Sequence, residues 1–292
     1  MSSPLISIVV PTHNRPKDVT EAVGTLVAQD YPNFEVVVIA NNCTDDTSAA
    51  VNALADAHSV VRVVAEPTPG VGAAHNRGVA EAQGELVAFL DDDELAPPGW
   101  LSSLYSAQQD TGAGGVGGPY QPLWLTTPPK WLANSLCMQE TLSFMDFGHE
   151  RCKVEWLLGG NMMYTHKALD DAEGFGPWDS YKKANSMVGG GDIVVGGRVR
   201  KAGYEVWFEP SAFVWHKVSP SRMRLSYILR RAFWAGYTDV AIGREWKLGD
   251  KAGKALCRGW DAVALGAVIL PGTLWGRLMV RLGYLHPLQV ND

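Results

Sequence analysis

Between residues 5 and 90 the chain alternates between two hydrophobic periods. Four short runs, "LISIVV" (5–10), "FEVVVIA" (34–40), "VVRVVA" (60–65) and "ELVAFL" (85–90), are rich in β-branched residues and place apolar side chains at consecutive positions. That is the pattern of strands buried on both faces. The segments between them carry helix-start signals. Pro16 leads "KDVTEAVGTLVAQD", "TDDTSAAVNALADA" opens on an Asp- and Thr-rich turn, and "VGAAHNRGVAEAQG" runs to Gly84. Strand and helix in alternation predict an α/β fold, a Rossmann-like and mostly parallel central sheet with helices on both sides. Ligands of such sheets bind beyond the carboxyl ends of the strands, which is where "PTHN", "NNCTDD" and "DDDE" lie.

After residue 110 the texture changes. A Gly-rich stretch, "TGAGGVGGPY", leads to a Pro/Trp-rich loop region, "QPLWLTTPPKWL". There follow "EWLLGGNMMYTHKAL", a loop ending in "GGGD", a helix-like "IVVGGRVRKAG" and two short strands, "YEVWFEP" and "AFVWH". From about residue 222 the chain reads as helical and carries Arg, Lys and Trp. The expected organisation is a nucleotide-binding half (1–110), a half completing the cleft (111–221) and a C-terminal helical extension (222–292).

Composition narrows the classes. A chain of 292 residues, 46% hydrophobic and 19% charged, is that of a soluble globular protein. A net charge of -6 gives no support for nucleic-acid binding. The four cysteines show no C-x-x-C spacing, so neither a zinc knuckle nor a disulfide framework is suggested and a reducing cytoplasm is the simplest location. "MSSPLISIVVPTHNRP" lacks the basic region and long apolar run of a signal peptide. "AVALGAVILPGTLW" is too short and too broken to span a bilayer, which leaves a peripheral contact at the inner face of the membrane open.

The acids of "DDDE" (91–94) directly follow a core strand. A divalent cation such as Mn2+ or Mg2+, held by one or two Asp and shared with a diphosphate, would offset their mutual repulsion. A solvated acidic loop is the competing explanation. Asn and Asp at the strand ends can read a base or a ribose, or can serve turns and helix caps, as Thr44 or Asp45 would. No G-x-G-x-x-G follows the first strand and no P-loop occurs, so the dinucleotide and P-loop classes lose their main support. "GGNM", with Gly160 and Asn161, forms either a backbone wall against a sugar or a tight turn. Trp124, Trp131 and Trp178 either stack on sugar faces or belong to the core. Arg230 and Arg231 face phosphate, lipid headgroups or plain solvent.

The order "SIVVPTHNRP", "VVVIANNCTDDT", "GVGAAHNRGVAEAQGELVAFLDDDELAPPGWL", "LLGGNMMYTHKAL" and "GGGDIVVGGRVRKAGYEVWFEPSAFVWH" resembles family 2 of the inverting glycosyltransferases over about residues 5–216. The resemblance implies a GT-A fold, a nucleotide-diphosphate sugar donor and a divalent metal. By position it implies that Pro11, Thr12 and Asn41 line the nucleoside pocket, with Asn14 and Asn76 as further donor-side candidates. Asp91 would head the acidic motif, Asp92 would lie near the ribose or sugar, and Asp93 would be the main metal ligand with His216 beside it. Asp192 falls at the place of the catalytic base. It follows three glycines, which permit close backbone approach, and it opens a helix, where a plain capping aspartate would also fit. Trp124, Trp178 and Gly191 are acceptor-side candidates. Ala40 stands where Asp is usual, His75 where Arg is frequent and Gly191 where Glu is common; these departures bear on specificity.

The expected function is an inverting, metal-dependent sugar transfer to a hydroxyl of a carbohydrate or lipid-linked acceptor, in polysaccharide, glycolipid or glycoconjugate synthesis. Two alternatives stay open. A sugar nucleotidyltransferase also sets acids beside a nucleotide, although "PTHNRPKD" is not its Gly-rich basic loop. A non-catalytic nucleotide-sugar-binding protein would keep the fold without turnover.

Overall fold

The four β-branched runs form neighbouring strands in a computed structural model of the chain, which describes residues 3–135, 139, 141–144, 147–176, 187 and 189–245. They are β1 (Ile6–Thr12), β2 (Phe34–Asn41), β3 (Val61–Glu66) and β4 (Leu86–Phe89). The helices between them are α1 (Pro16–Leu26), α2 (Thr47–Ala57) and α3 (Val71–Glu81). All three strand pairs are parallel: β1 lies between β2 and β4, and β3 flanks β2. Alternate side chains enter opposite cores. Ile6, Ile8 and Val10 of β1 join Val36, Val38 and Ala40 of β2 in one cluster with α1, α2 and α4 (Trp100–Thr111). Val9, Val37 and Ile39 join a second cluster with α3, α6 (His166–Asp171) and α7 (Gly191–Lys201). In α1 the buried residues are Val19, Ala22, Val23 and Leu26, the spacing of a single helical face behind Pro16 at its first turn.

The sheet continues beyond β4. Its eight strands run in the order β3-β2-β1-β4-β9-β6-β10-β8, where β6 is Gly115–Gly117, β8 Cys152–Lys153, β9 Met162–Thr165 and β10 Val206–Phe208. β9 pairs antiparallel with both β4 and β6, so the sheet is mixed although its first half is parallel throughout. The expected Pro/Trp-rich loop region carries most of β7 (Tyr120–Trp124), and the Gly-rich stretch, to which the sequence assigned no element, supplies β6. A β-carbon on Gly115 would lie 2.4 Å from the Tyr164 ring, so only glycine lets this strand pass its neighbour.

A second sheet joins β5 (Glu94–Leu95), β11 (Val214–Val218) and β7 (Tyr120–Trp124) in the order β5-β11-β7. The chain divides into two units: Met1–Leu123 with Asp146–Ser180 and Gly191–Lys217, and Trp124–Met145 with Tyr181–Gly190 and Val218–Asp292. The sheet strands from both sides of residue 110 belong to the first unit. The second contains α5 (Lys130–Ala133) and α8 (Leu225–Glu245). The helical reading beyond residue 245 lies outside the described residues. Among the described residues no helix is long and apolar enough to cross a membrane.

Candidate active site

Parallel register brings three strand ends together. Thr12 pairs with Ala40, and the Leu90 amide continues the ladder by donating to the Val9 carbonyl (3.1 Å). Asp91 and Asp92 therefore emerge beside Pro11 and Thr12, and the Thr12 hydroxyl donates to Asp92 Oδ2 (2.8 Å). Arg15, the residue that opens α1, crosses the gap: its Nη1 is 2.7 Å from Asp92 Oδ1 and 3.1 Å from Asp93 Oδ2. Burial works against a charged Arg15, yet Asp92 and Asp93 together overcome it and raise its pKa.

Asp91, Asp93 and Glu94 each offer an oxygen within 4.8 Å of the others. Burial, followed by the charges of Asp93 and Asp92, pushes the Asp91 carboxyl up to about 7. Asp91 keeps some solvent exposure, but the surrounding acids fix the same direction. Glu94 is fully buried and raised well above its ordinary range by burial and then by Asp91 and Asp93. Its Oε2 accepts from the Asp91 amide (3.2 Å), while Oε1 is buried without a hydrogen-bond partner among the described residues. A buried carboxylate oxygen without a partner is costly unless a proton or a cation meets it, although the nearby Tyr120 hydroxyl offsets part of the cost for Glu94. The donor set is all oxygen, as hard divalent cations prefer, so the residues present fit such an ion.

Two neighbours lock Glu94 in place. A β-carbon on Gly160 would come within 2.6 Å of its carboxyl carbon, so only glycine lets the acid lie against the backbone here. The Gly160 amide donates to the Tyr120 hydroxyl (2.7 Å), whose own pKa is raised well above normal by burial and then by Glu94 and Asp91. The antiparallel β5–β11 pair sets His216 opposite Glu94, with His216 Nε2 3.8 Å from Asp93 Oδ1.

Asp192 lies in the first turn of α7, with Oδ1 accepting from the Ile193 amide (3.0 Å). It thus takes up a helix-end amide without being the residue before the helix. After burial and, for Asp91 and Tyr120, other charged groups, its negative charge adds to the raised pKa values of Asp91, Tyr120 and Tyr164. A β-carbon on Gly159 would sit 3.6 Å from Asp192 Oδ2.

The asparagines tell a different story. Asn41 Nδ2 donates to the carbonyls of Glu66 (3.2 Å) and Thr68 (2.7 Å), and its Oδ1 accepts from the Gly70 amide (3.0 Å). Asn76 donates to the Gly176 carbonyl (3.1 Å) and accepts from the Phe175 amide (2.9 Å). Asn161, fully buried, donates to the carbonyls of Pro119 (3.1 Å) and Ala212 (2.8 Å) and accepts from Trp100 Nε1 (2.8 Å). Asn14, in the left-handed region at φ 53°, ties the β1 end to the Thr44 amide (2.8 Å). An asparagine has one carbonyl oxygen and two N–H donors, so these side chains are largely spent on the protein's own backbone.

The remaining candidates divide. His75 is buried against Phe175 (4.5 Å) and Phe89 (5.3 Å) in the second core. Ala40 belongs to the first core. Trp124 packs on Phe144 at 5.9 Å, and Trp131 is 40% exposed, both in the second unit. Arg231 Nη1 donates to the Met187 carbonyl (3.2 Å) in that unit. Gly191 is the first residue of α7, and Trp178 lies outside the described residues. The helix after β2 is not capped by Thr44 or Asp45: it begins at Thr47, whose amide donates to Asp45 Oδ1 (2.9 Å). Arg15, Tyr120 and the specific place of Glu94 escaped the sequence. Their only signals were an Arg before Pro16 and a fourth acid after three aspartates.

A mixed sheet of this order is the GT-A fold shared with solved glycosyltransferases. The chain belongs to glycosyl transferase family 2, whose profile matches residues 7–171. It is 28% identical over 270 residues to the succinoglycan biosynthesis protein ExoM of Rhizobium meliloti, covering 90% of this chain and 81% of the relative. It is 24% identical over 237 residues to the glucosyl-dolichyl phosphate glucuronosyltransferase of Haloferax volcanii, covering 80% and 75%. The mannosyltransferase PcManGT from Pyrobaculum calidifontis, solved with GDP-Man and Mn2+, shares the fold at a TM-score of 0.60 and 21% identity, covering 99% and 83%. S. aureus TarS 1-349 with UDP gives 0.56 and 19%, covering 96% and 87%. Of the three functions open in the sequence, the family match selects the transferase.

Proposed function

We propose that the chain transfers a sugar, with inversion and with a divalent metal, from a nucleoside-diphosphate sugar to an acceptor hydroxyl. The observation that carries this is the Asp91–Asp93–Glu94 oxygen set, with Gly160 against the Glu94 carboxyl and its neighbour Gly159 against Asp192. Asp91, Asp93 and Glu94 would hold the ion, with His216 beside them. When bound, it supplies positive charge against the departing diphosphate. Thr12 and Arg15 fix Asp92 at the strand ends, where a ribose or sugar hydroxyl would meet an oriented acceptor. Asp192 accepts the proton of the acceptor hydroxyl as that oxygen bonds to the anomeric carbon. The bond from that carbon to the diphosphate oxygen breaks, and the nucleoside diphosphate leaves with the electron pair. One displacement inverts the centre, and no enzyme nucleophile is used.

Two relatives support a glycoconjugate acceptor, since their names tie one to succinoglycan and the other to a dolichyl phosphate sugar. A lipid-linked acceptor would place the reaction at the cytoplasmic face of a membrane; flotation with anionic vesicles tests that contact, and failure to float removes it. The decisive experiment is Asp192→Asn. It should keep donor binding while nucleoside diphosphate release in the presence of acceptor falls by about a hundredfold or more. An unchanged rate would take the proton-accepting role away from Asp192.

A further inference from the structure

Arg15 already sits on the acid expected to hold the metal. Both of its ion pairs use one nitrogen, Nη1, shared between Asp92 Oδ1 (2.7 Å) and Asp93 Oδ2 (3.1 Å). Its backbone is fixed as the residue opening α1, ahead of Pro16. Its side chain is 41% exposed and has room to swing, whereas that of Asp93 is 12% exposed and does not. Two other basic side chains of this unit are committed elsewhere. Lys217 is held by Asp18 (3.0 Å) and Glu21 (2.6 Å), and His75 packs in the core.

A guanidinium carries five N–H donors in a flat fork that suits phosphate as well as carboxylate, and the two Arg15 contacts commit only one nitrogen of the fork. A divalent ion arriving alone must displace Arg15 from Asp93 and is then repelled by it at close range. A diphosphate arriving first gives the guanidinium a second anionic partner. Asp93 is then released, and the negative charge that the ion needs is supplied.

Resting on the metal reading above, we propose that Arg15 is an internal counter-ion that guards Asp93, so that metal enters together with a nucleoside diphosphate and not before it. Arg15 is then a positioning residue whose two partners, Asp93 and phosphate, are exchanged on donor binding.

Free Mn2+ is measured by electron paramagnetic resonance while protein is titrated alone and with saturating UDP or GDP. Wild type should bind Mn2+ about tenfold more tightly with a nucleotide than without. Arg15→Gln should bind Mn2+ alone about tenfold more tightly than wild type, and the nucleotide's enhancement should shrink correspondingly. Asp92→Asn approaches from the other side: it leaves Nη1 wholly to Asp93, so metal-alone affinity should drop and the enhancement should grow. Unchanged or weaker metal-alone binding in Arg15→Gln, or tighter binding in Asp92→Asn, overturns the counter-ion role. Asp93→Asn separates the two ideas. If it loses Mn2+ in every condition, the metal reading stands whatever Arg15 does; if it binds as wild type does, both fall.

Discussion

Removing one charge from the acid cluster should reverse its sign of effect with metal. Asp91 lies at about 7 in the folded chain against an ordinary 3.8, because burial and then Asp93 and Asp92 oppose its ionisation. A carboxyl raised by folding favours the folded state at low pH, and that contribution is lost as pH climbs from the unfolded value through the folded one. Between pH 4 and pH 8 the metal-free protein should therefore lose stability at this residue. The difference from 3.8 to about 7 sets an upper bound of about 4 kcal/mol. Asp91 is half-buried, so solvent screening cuts the expected effect to about 1–2 kcal/mol. Asp91→Asn removes this carboxyl together with its repulsion of Glu94, while groups away from the cluster titrate alike in both proteins. Urea unfolding in EDTA should show the variant equal to wild type near pH 4 and more stable by that amount at pH 8. Saturating Mn2+ should reverse the order at pH 8, because wild type gains a ligand that the variant lacks. A variant no more stable than wild type at pH 8 without metal would refute the repulsion argument. An order that Mn2+ does not change would refute the assignment of Asp91 as a ligand.

Gly160→Ala should cost about 1–3 kcal/mol by overpacking and weaken Mn2+ binding, because its β-carbon displaces the Glu94 carboxyl; thermal unfolding with and without Mn2+ reads both. Asn161→Ala should cost about 3–5 kcal/mol, since it strands the Trp100 indole N–H and two backbone carbonyls in the interior. Its folded fraction should still bind nucleotide as wild type does, measured by calorimetry below the melting transition.

Much of the fold could be read before any coordinates. The runs at 5–10, 34–40, 60–65 and 85–90 became β1 to β4 with shifts of a residue or so at the ends. Two-sided burial accounts for the apolar runs of β1, β2 and β4, whereas β3 lies at the sheet edge with only Val61 buried. Pro16 marked the start of α1 for an equally local reason. The stretch at 112–120 did not read as a strand. Its glycines suppress local β preference, and Gly115 is there to let Tyr164 pass, a contact made by a residue some fifty positions away.

At the site the divide is sharper. That acids follow β4 and that an aspartate opens a late helix was legible in the residue order alone, since both are facts of order along the chain. The sequence could not assign the asparagines. Asn41, Asn76 and Asn161 have the chemistry to read a donor, and only folding showed their amides bonded to backbone brought from 25 to 100 positions away. Arg15 on Asp93 and Glu94 under Gly160 likewise exist only through pairings between distant segments. The physical reason is that periodicity and turn chemistry act over a few residues, whereas the partner that satisfies a polar group is chosen by which strands become neighbours.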